Sequence, residues 1–167
     1  MDERVASAVA NWAPRFTTNG VAVADFQRVT ASVERWEDWC SAWSEAATVH
    51  ADLGREALSE GRTRSAGAHF STAAVYYHFG KFLFVEHPDE MREAHRRAVA
   101  CLTEALPHLD PPGERVEIPF EGSTLVGILR RLPDHADEDI AAGAVFVEAR
   151  SVYERVKTLP HTVADVA

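Results

Sequence analysis

The sequence predicts a mainly α fold, an antiparallel helical bundle followed by a small β-hairpin. In roughly the first hundred residues, apolar side chains recur at spacings of three and four, which is typical of amphipathic helices. From Val116 they alternate with a spacing of two, which is typical of a strand. The change falls at Pro111-Pro112-Gly113. We therefore expect a helical domain over residues 1–112, a hairpin over 113–133, and a divergent tail over 134–167.

The composition indicates a globular protein and argues against several classes of partner. The chain has 167 residues, of which 46% are hydrophobic, and a formal net charge of −9. This acidic balance argues against nucleic acid as a partner, because phosphate binding depends on clustered Lys and Arg. The apolar runs are too short for a transmembrane helix, and the N-terminus lacks the pattern of a signal peptide. We expect no membrane partner, a cytoplasmic location, and buried thiols at Cys40 and Cys101.

The first helices are predicted from capping residues and from a stripe of tryptophans. A short helix is expected over residues 2–11, ending before Pro14, and Asp25 is expected to cap the next helix. A long helix is predicted over residues 32–60, with Gly61 as its stop signal. One face of this helix carries apolar and aromatic residues at helical spacing: Trp36, Trp39, Trp43, Ala46, His50, Leu53 and Ala57.

Two further helices complete the predicted bundle. The first runs from Thr63 or Ser65 to about Glu86 and is apolar on most sides, which is typical of a central helix. His87-Pro88-Asp89 ends it and begins the second, over residues 90–106. The residues expected to face the core are Ala66, Phe70, Ala73, Tyr77, Gly80 and Phe84 in the first helix, and Ala94, Ala98, Cys101, Leu102 and Ala105 in the second.

The hairpin is predicted from two alternating segments and a turn. Val116, Ile118 and Phe120 alternate with polar residues or proline, and Glu121-Gly122-Ser123 can form the turn. The second strand, over residues 125–130, is apolar on both faces, so we expect cover on both sides. In the tail, residues 144–147 are a candidate short strand, and residues 151–159 are a candidate helix with one apolar face.

No catalytic residue and no metal site is predicted. An α/β-hydrolase nucleophile lies in a strand-to-helix G-x-S-x-G elbow, and the sequence contains no such motif. Ser65 lies between predicted helices and Ser123 in the hairpin turn, so neither has the context of an elbow. The histidines form no H-E-x-x-H motif, and the cysteines form no C-x-x-C pair. We therefore expect no metal and no cofactor.

The segment Tyr76-Tyr77-His78-Phe79 is the densest cluster of aromatic and titratable residues. Consecutive residues of a helix point about 100° apart, so the four side chains cannot all face one pocket. Tyr77 belongs to the core stripe, whereas Tyr76 or His78 could line a cavity beside Lys81 or Phe82. Ordinary packing is the alternative for each. The candidates for a substrate pocket are thus Tyr76, His78, Lys81 and Phe82.

Two segments resemble a known family, and together they span about residues 10–133. The first segment is Tyr76-Tyr77-His78-Phe79-Gly80-Lys81-Phe82-Leu83-Phe84, followed by His87-Pro88 and His95. The second is Pro112-Gly113-Glu114-Arg115-Val116-Glu117-Ile118-Pro119-Phe120-Glu121-Gly122, followed by Leu125-Val126-Gly127-Ile128-Leu129-Arg130. On these residues the chain resembles the 2,6-dihydroxypseudooxynicotine hydrolase-like, esterase-like group of α/β-hydrolases, in its N-terminal helical region and in the start of its catalytic domain.

The resemblance implies a role for each part of the chain. In this group the helices cover the active site and support dimer contacts, and the first strands of the hydrolase sheet follow. The hairpin would then be the incomplete start of an α/β-hydrolase sheet. The implied reaction is serine hydrolysis of a small hydrophobic or aromatic substrate, and the implied partners are such a ligand and a second copy of the chain.

The tail departs from the pattern of this group. Residues 144–147 could stand for the next strand, but Glu148-Ala149-Arg150-Ser151 lacks the glycine of the oxyanion turn. No triad residue can be carried over. We therefore expect a chain truncated before the catalytic core, through a truncated or frame-shifted gene or through retention of the helices for binding, and without independent catalysis.

A helical interaction or dimerisation module, similar to paired tetratricopeptide hairpins, is the alternative. Antiparallel helices with Ala66 and Tyr77 on one stripe are compatible with it. The sequence has no self-similarity at a period of about 34 residues. The hairpin after Gly113 is also unexplained by such a module.

Overall fold

A computed structural model describes residues 2–130, and in that range it confirms the predicted fold class. Five α-helices, which with two short 3-10 turns account for 70% of the described residues, are followed by a two-stranded antiparallel sheet. The helical part, up to Arg115, is one compact unit, and most of the hairpin belongs to another. The predicted tail of residues 134–167, with its candidate strand and helix, lies outside the described residues, as do residues 131–133.

The elements follow one another with short connections. Two single 3-10 turns lie before the third helix and after the fifth. In chain order the elements are α1 (Glu3–Thr18), α2 (Val23–Ser32), a 3-10 turn (Trp36–Asp38), α3 (Trp39–Ser59), α4 (Thr63–Lys81), α5 (Pro88–Ala105), a second 3-10 turn (Leu106–His108), β1 (Gly113–Phe120) and β2 (Ser123–Arg130).

Helix α1 continues through Pro14, so the prediction that it ends near Asn11 is wrong. Proline removes a backbone hydrogen bond and disfavours a helix interior. Here tertiary packing outweighs that cost, because the ring of Phe16 is fully buried and stacks on Phe79 at 3.9 Å between centroids. The helix ends one turn later, where the backbone N–H of Asn19 is hydrogen-bonded to the carbonyl of Phe16 at 3.2 Å.

The predicted long helix over residues 32–60 is interrupted at its start. Helix α2 ends at Ser32, Val33 has an extended backbone, and α3 begins only at Trp39. This bend allows Val33 and Trp36 both to be buried, and Trp36 stacks on Trp39 at 5.3 Å. Core packing therefore sets the break, and no proline or glycine marks it in the sequence.

Asp25 does not cap the second helix, contrary to the prediction. Ala22 is the N-cap residue of α2, and Asp25 lies within the first turn of the helix. Its carboxylate accepts a hydrogen bond from the hydroxyl of Tyr76 at 2.7 Å and one from Arg28 at 2.9 Å. The Asp25 carboxylate thus accepts a hydrogen bond from Tyr76 on another helix instead of capping the backbone N–H groups of its own helix.

The end of α3 at Gly61 is confirmed. Gly61 has a positive φ of 77°, and its N–H donates to the carbonyl of Leu58 at 3.0 Å. The N–H of Arg62 donates to the carbonyl of Ala57 at 2.8 Å. These two bonds form a Schellman motif, for which glycine is favoured because it adopts left-handed backbone angles without strain.

Helix α4 is the central helix, since it packs against both α3 and α5. Its predicted core stripe is buried as expected, from Ala66 to Gly80. The helix ends at Lys81 and not near Glu86, because the chain turns at Leu83, which has a positive φ of 68°. The turn places Phe84 in the core, 6.0 Å from Trp36 between ring centroids.

The core is aromatic, and it contains both thiols. Its largest fully buried side chains include Trp39, Trp43 and Phe70. Cys40 and Cys101 are buried and not linked by a disulfide, as predicted. None of the helices in the described range combines the length and the hydrophobicity needed to cross a membrane.

The hairpin turns at Glu121 and Gly122, in the predicted segment. Both residues have positive φ, 46° and 77°, as the two central positions of a type I′ turn require. The side chains of Leu125, Val126 and Ile128 are 45%, 57% and 38% exposed. The expectation that both faces of β2 are covered is therefore wrong for these three side chains.

Candidate ligand groove

A groove of about 360 Å³ lies between helices α4 and α5. Each helix contributes side chains at spacings of three and four, so that one face of each borders the groove. Asn19, in the turn after α1, lies at one side. The lining residues are Ser71, Ala74, Val75, His78, Phe79 and Lys81 on α4, and His95, Ala98, Val99 and Leu102 on α5.

Most of the lining is apolar. Phe79 and Ala98 are buried and form part of the core, whereas Val99 and Leu102 are 47% and 37% exposed. A ligand lying against Val99 and Leu102 would remove their apolar surface from water, which is favourable by about 25 cal/mol per Å². The groove is thus suited to an aromatic or aliphatic body.

The titratable side chains that line the groove are all basic: His78, Lys81 and His95. No carboxylate is among the lining residues. Within residues 2–130, neither Lys81 nor His95 has an acidic side chain within ion-pair distance. This local excess of basic groups contrasts with the net charge of −9 for the chain.

His78 is the titratable group most affected by these surroundings. Partial burial lowers the pKa of its imidazole, and the charges of Lys81, Arg15 and His95 lower that pKa further. The imidazole stacks on Phe82 at 6.0 Å between centroids, and the guanidinium of Arg15 lies 5.1 Å from the Phe82 ring. His78 therefore lies within a positively charged region.

The structure brings two of the four candidate pocket residues together. His78 and Lys81 both line the groove, while Tyr76 and Phe82 are not among its lining residues. Tyr76 is 1% exposed and lies in the core. Phe82 is half-buried behind His78 and packs edge-to-face on Trp12 at 5.3 Å between ring centroids.

Sequence reasoning missed the contribution of α5 to this groove. Leu102 was expected to face the core, but it lies at the groove instead. His95, Val99 and Asn19 line the groove although the sequence analysis does not predict them as pocket residues. Positions 95, 98, 99 and 102 have the spacing of three and four that places residues on one face of a helix. This face lies next to the buried stripe of α5, and the spacing is the sequence signal that could have indicated it.

A second polar cluster, also missed, joins α2, α3 and α4. The Tyr76 hydroxyl that donates to Asp25 also accepts from the backbone N–H of Ala22 at 3.4 Å. His50 Nε2 lies 3.8 Å from Asp25 Oδ2, and His50 Nδ1 lies 3.4 Å from His69 Nδ1. The signal in the sequence was weak, because these residues are far apart along the chain.

The electrostatics of this cluster indicate a structural role. Burial and the bond to Asp25 raise the pKa of Tyr76 to about 12, so its hydroxyl stays protonated as a donor. The bonds from Arg28 and Tyr76 lower the pKa of Asp25, which stays ionised as their acceptor. Within the described range, no three His, Cys, Asp or Glu side chains are placed to hold a metal ion.

Comparison with known proteins yields a structural neighbour. No protein-family model and no curated protein matches the sequence. Among solved structures, the chain is similar to a hydrolase of the α/β type. That structure is the crystal structure of the 2,6-dihydroxy-pseudo-oxynicotine hydrolase, with a TM-score of 0.60 and 26% sequence identity.

The similarity spans only part of each of the two proteins. It covers 72% of this chain and 33% of the hydrolase. The chain therefore matches about a third of that enzyme's length. The resemblance predicted from the sequence is confirmed as a structural similarity to this hydrolase.

Proposed function

We propose that the helical part of the chain is the cover domain, or lid, of an α/β-hydrolase-type protein, and that the groove forms part of the wall of its ligand pocket. The supporting observation is a mostly apolar groove of about 360 Å³ in a chain similar to part of a hydrolase. Small-ligand sites combine an apolar lining with a few polar groups. The proposed ligand is a small hydrophobic or aromatic molecule.

In this proposal the hairpin corresponds to the first strands of a hydrolase sheet. The serine nucleophile of such enzymes lies in a G-x-S-x-G elbow, and the 167 residues contain no such motif. We therefore propose that these residues bind a ligand without hydrolysing it by themselves.

Ligand binding is tested with phenylnaphthylamine, an uncharged aromatic probe that fluoresces in apolar surroundings. Val99→Trp fills the groove, and we expect it to weaken probe binding at least tenfold. Val49→Trp is the matched control, because Val49 is equally an exposed helix residue, 59% accessible on α3, outside the groove. Equal affinities in the wild type and the Val99→Trp variant would refute the groove as a ligand site.

The proposed lack of catalysis is tested with a panel of acyl esters. We expect no turnover above the uncatalysed rate by the purified chain. Turnover that persists in both Ser65→Ala and Ser123→Ala, with contaminants excluded, would show a nucleophile at another position and contradict this part of the proposal.

Self-association into a homodimer is a second proposal, and it corresponds to the second copy of the chain that the family resemblance implies as a partner. The observation that favours it is the exposure of Leu125, Val126 and Ile128 on one strand of the hairpin. Val126 and Ile128 lie on the same face of the strand because their positions differ by two, and exposed apolar side chains that lie together favour protein contacts. The two proposals are compatible, because no hairpin residue is among the lining residues of the groove.

A further inference from the structure

We propose that the groove selects a small aromatic acid, with the aromatic body against the apolar lining and the anionic group at Lys81, His78 and His95. This inference rests on the proposed ligand-binding function and adds the charge class of the ligand. A ligand with only an aliphatic or aromatic body would require only the apolar lining. The basic side chains around the groove would have no role in binding such a ligand, whereas they would pair with an anionic group.

The apolar lining provides a surface for a ring. Phe79 lies at the buried side of the groove, and Val99 and Leu102 lie at its exposed side. A flat aromatic body of one or two rings fits a groove of about 360 Å³. The polar side chains Asn19 and Ser71 add hydrogen-bonding groups at the lining.

The charge of the groove favours an anion. Lys81 is half-buried and has no acidic side chain within ion-pair distance in residues 2–130. An ammonium group in such a position gains more from an anionic ligand than from a neutral one. His95 on the facing helix and Arg15 behind Phe82 add to the positive potential at His78.

Binding of an anion should be coupled to uptake of a proton. The charged groups that act on His78 are Lys81 on its own helix, Arg15 on α1 and His95 on α5, and all three disfavour its protonation. An anion placed among them reverses part of this effect. The affinity for an aromatic acid should therefore increase as the pH falls below the ordinary histidine pKa of about 6.5, while the affinity for an uncharged analogue stays constant.

The test compares two fluorescent probes that differ by one anionic group. Anilinonaphthalene sulfonate carries the sulfonate, and phenylnaphthylamine has the same rings without it. We expect Lys81→Gln to weaken binding of the sulfonate about fivefold, the effect of losing one partly exposed charge pair. Binding of phenylnaphthylamine should change by less than about twofold.

A matched control separates local charge from net charge. Arg92→Gln removes one positive charge from α5 at an exposed position outside the groove, where Arg92 pairs with Asp89. This variant should leave both affinities unchanged. His95→Gln provides a second variant at the groove, and it should also weaken binding of the sulfonate selectively.

The outcomes distinguish the two levels of the proposal. If Lys81→Gln and His95→Gln leave the affinity for the sulfonate unchanged, or if Arg92→Gln lowers it equally, selection of an acid is refuted while the groove remains a ligand site. If Val99→Trp affects neither probe, the groove itself is refuted, and the proposed function fails with it.

Discussion

At the scale of single residues, the direction of each side chain on α4 decides which residues can meet a ligand. Tyr76 and Tyr77 are buried, at 1% and 3% exposure, whereas the next residue, His78, reaches the groove. The separation of about 100° between successive residues predicts that these neighbours cannot share a pocket. It does not predict which neighbour faces the core, because that depends on where α3 and α5 pack.

The close approach of α4 to the second 3-10 turn can be tested at Gly67. A Cβ atom at this position would lie 2.7 Å from the backbone carbonyl oxygen of His108, which cannot rotate away. We expect Gly67→Ala to reduce the free energy of unfolding by about 1–3 kcal/mol through overpacking. Ser65→Ala, two residues earlier and exposed, should change it by less than about 0.5 kcal/mol. Urea denaturation of both variants checks this, and equal stabilities would contradict the described contact.

The His50 side chain should make stability depend on pH. Burial lowers its pKa, and His69 lowers it further, although the carboxylate of Asp25 partly opposes both effects. The unfolded state therefore binds a proton more readily than the folded state. Stability is complete above the ordinary histidine pKa of about 6.5 and decreases as the pH falls through it.

His50→Gln cannot take up this proton, so the variant should lose less stability than the wild type between about pH 7.5 and pH 5.5. Thermal unfolding followed by circular dichroism at several pH values measures the difference. A pH dependence identical in the two proteins would contradict the assignment.

For single helices, the sequence predicts a boundary better where backbone conformational preference sets it than where side-chain packing sets it. The end of α3 follows from Gly61, whose left-handed backbone angle favours glycine. The continuation of α1 past Pro14 and the break at Val33 both depend on the burial of aromatic side chains by other helices. Local sequence does not contain that information, so these two boundaries were predicted wrongly.

Substitution of Phe16 tests whether core packing stabilises the second half of α1. Its ring is fully buried and contacts Phe79 and Phe26, with 5.2 Å between the centroids of Phe16 and Phe26. We expect Phe16→Ala to reduce the free energy of unfolding by about 3–5 kcal/mol. Thr18→Ala, at an exposed position of the same turn, serves as the control in denaturant unfolding. A loss for Phe16→Ala as small as that for the control would show that α1 does not depend on this contact.

At the scale of the whole molecule, the helical unit and the hairpin differ in how their apolar residues are covered. The helical unit buries a large cluster of aromatic side chains, whereas β2 exposes Leu125, Val126 and Ile128. The similarity to a hydrolase covers 72% of this chain and 33% of that enzyme. The groove could be predicted only in part, since the facing side chains of α4 and α5 are distant in sequence.

The exposed side chains of β2 should promote self-association. We expect sedimentation velocity to show a concentration-dependent increase in mass for the wild type. Val126→Lys places a charge on the most exposed of these positions. Natural edge strands carry such charges to prevent pairing with other strands, so this variant should shift the equilibrium toward the monomer. Val49→Lys, on α3, is the control. A wild-type chain that remains monomeric at all concentrations would contradict the expected association.

Binding of a small aromatic ligand in the groove between α4 and α5 can be observed residue by residue. The experiment is a titration of the isotope-labelled full chain with anilinonaphthalene sulfonate, followed through backbone amide chemical shifts. We expect the largest shift changes at His78, Lys81, His95 and Val99. Shift changes confined to the hairpin, or absent from α4 and α5, would contradict it.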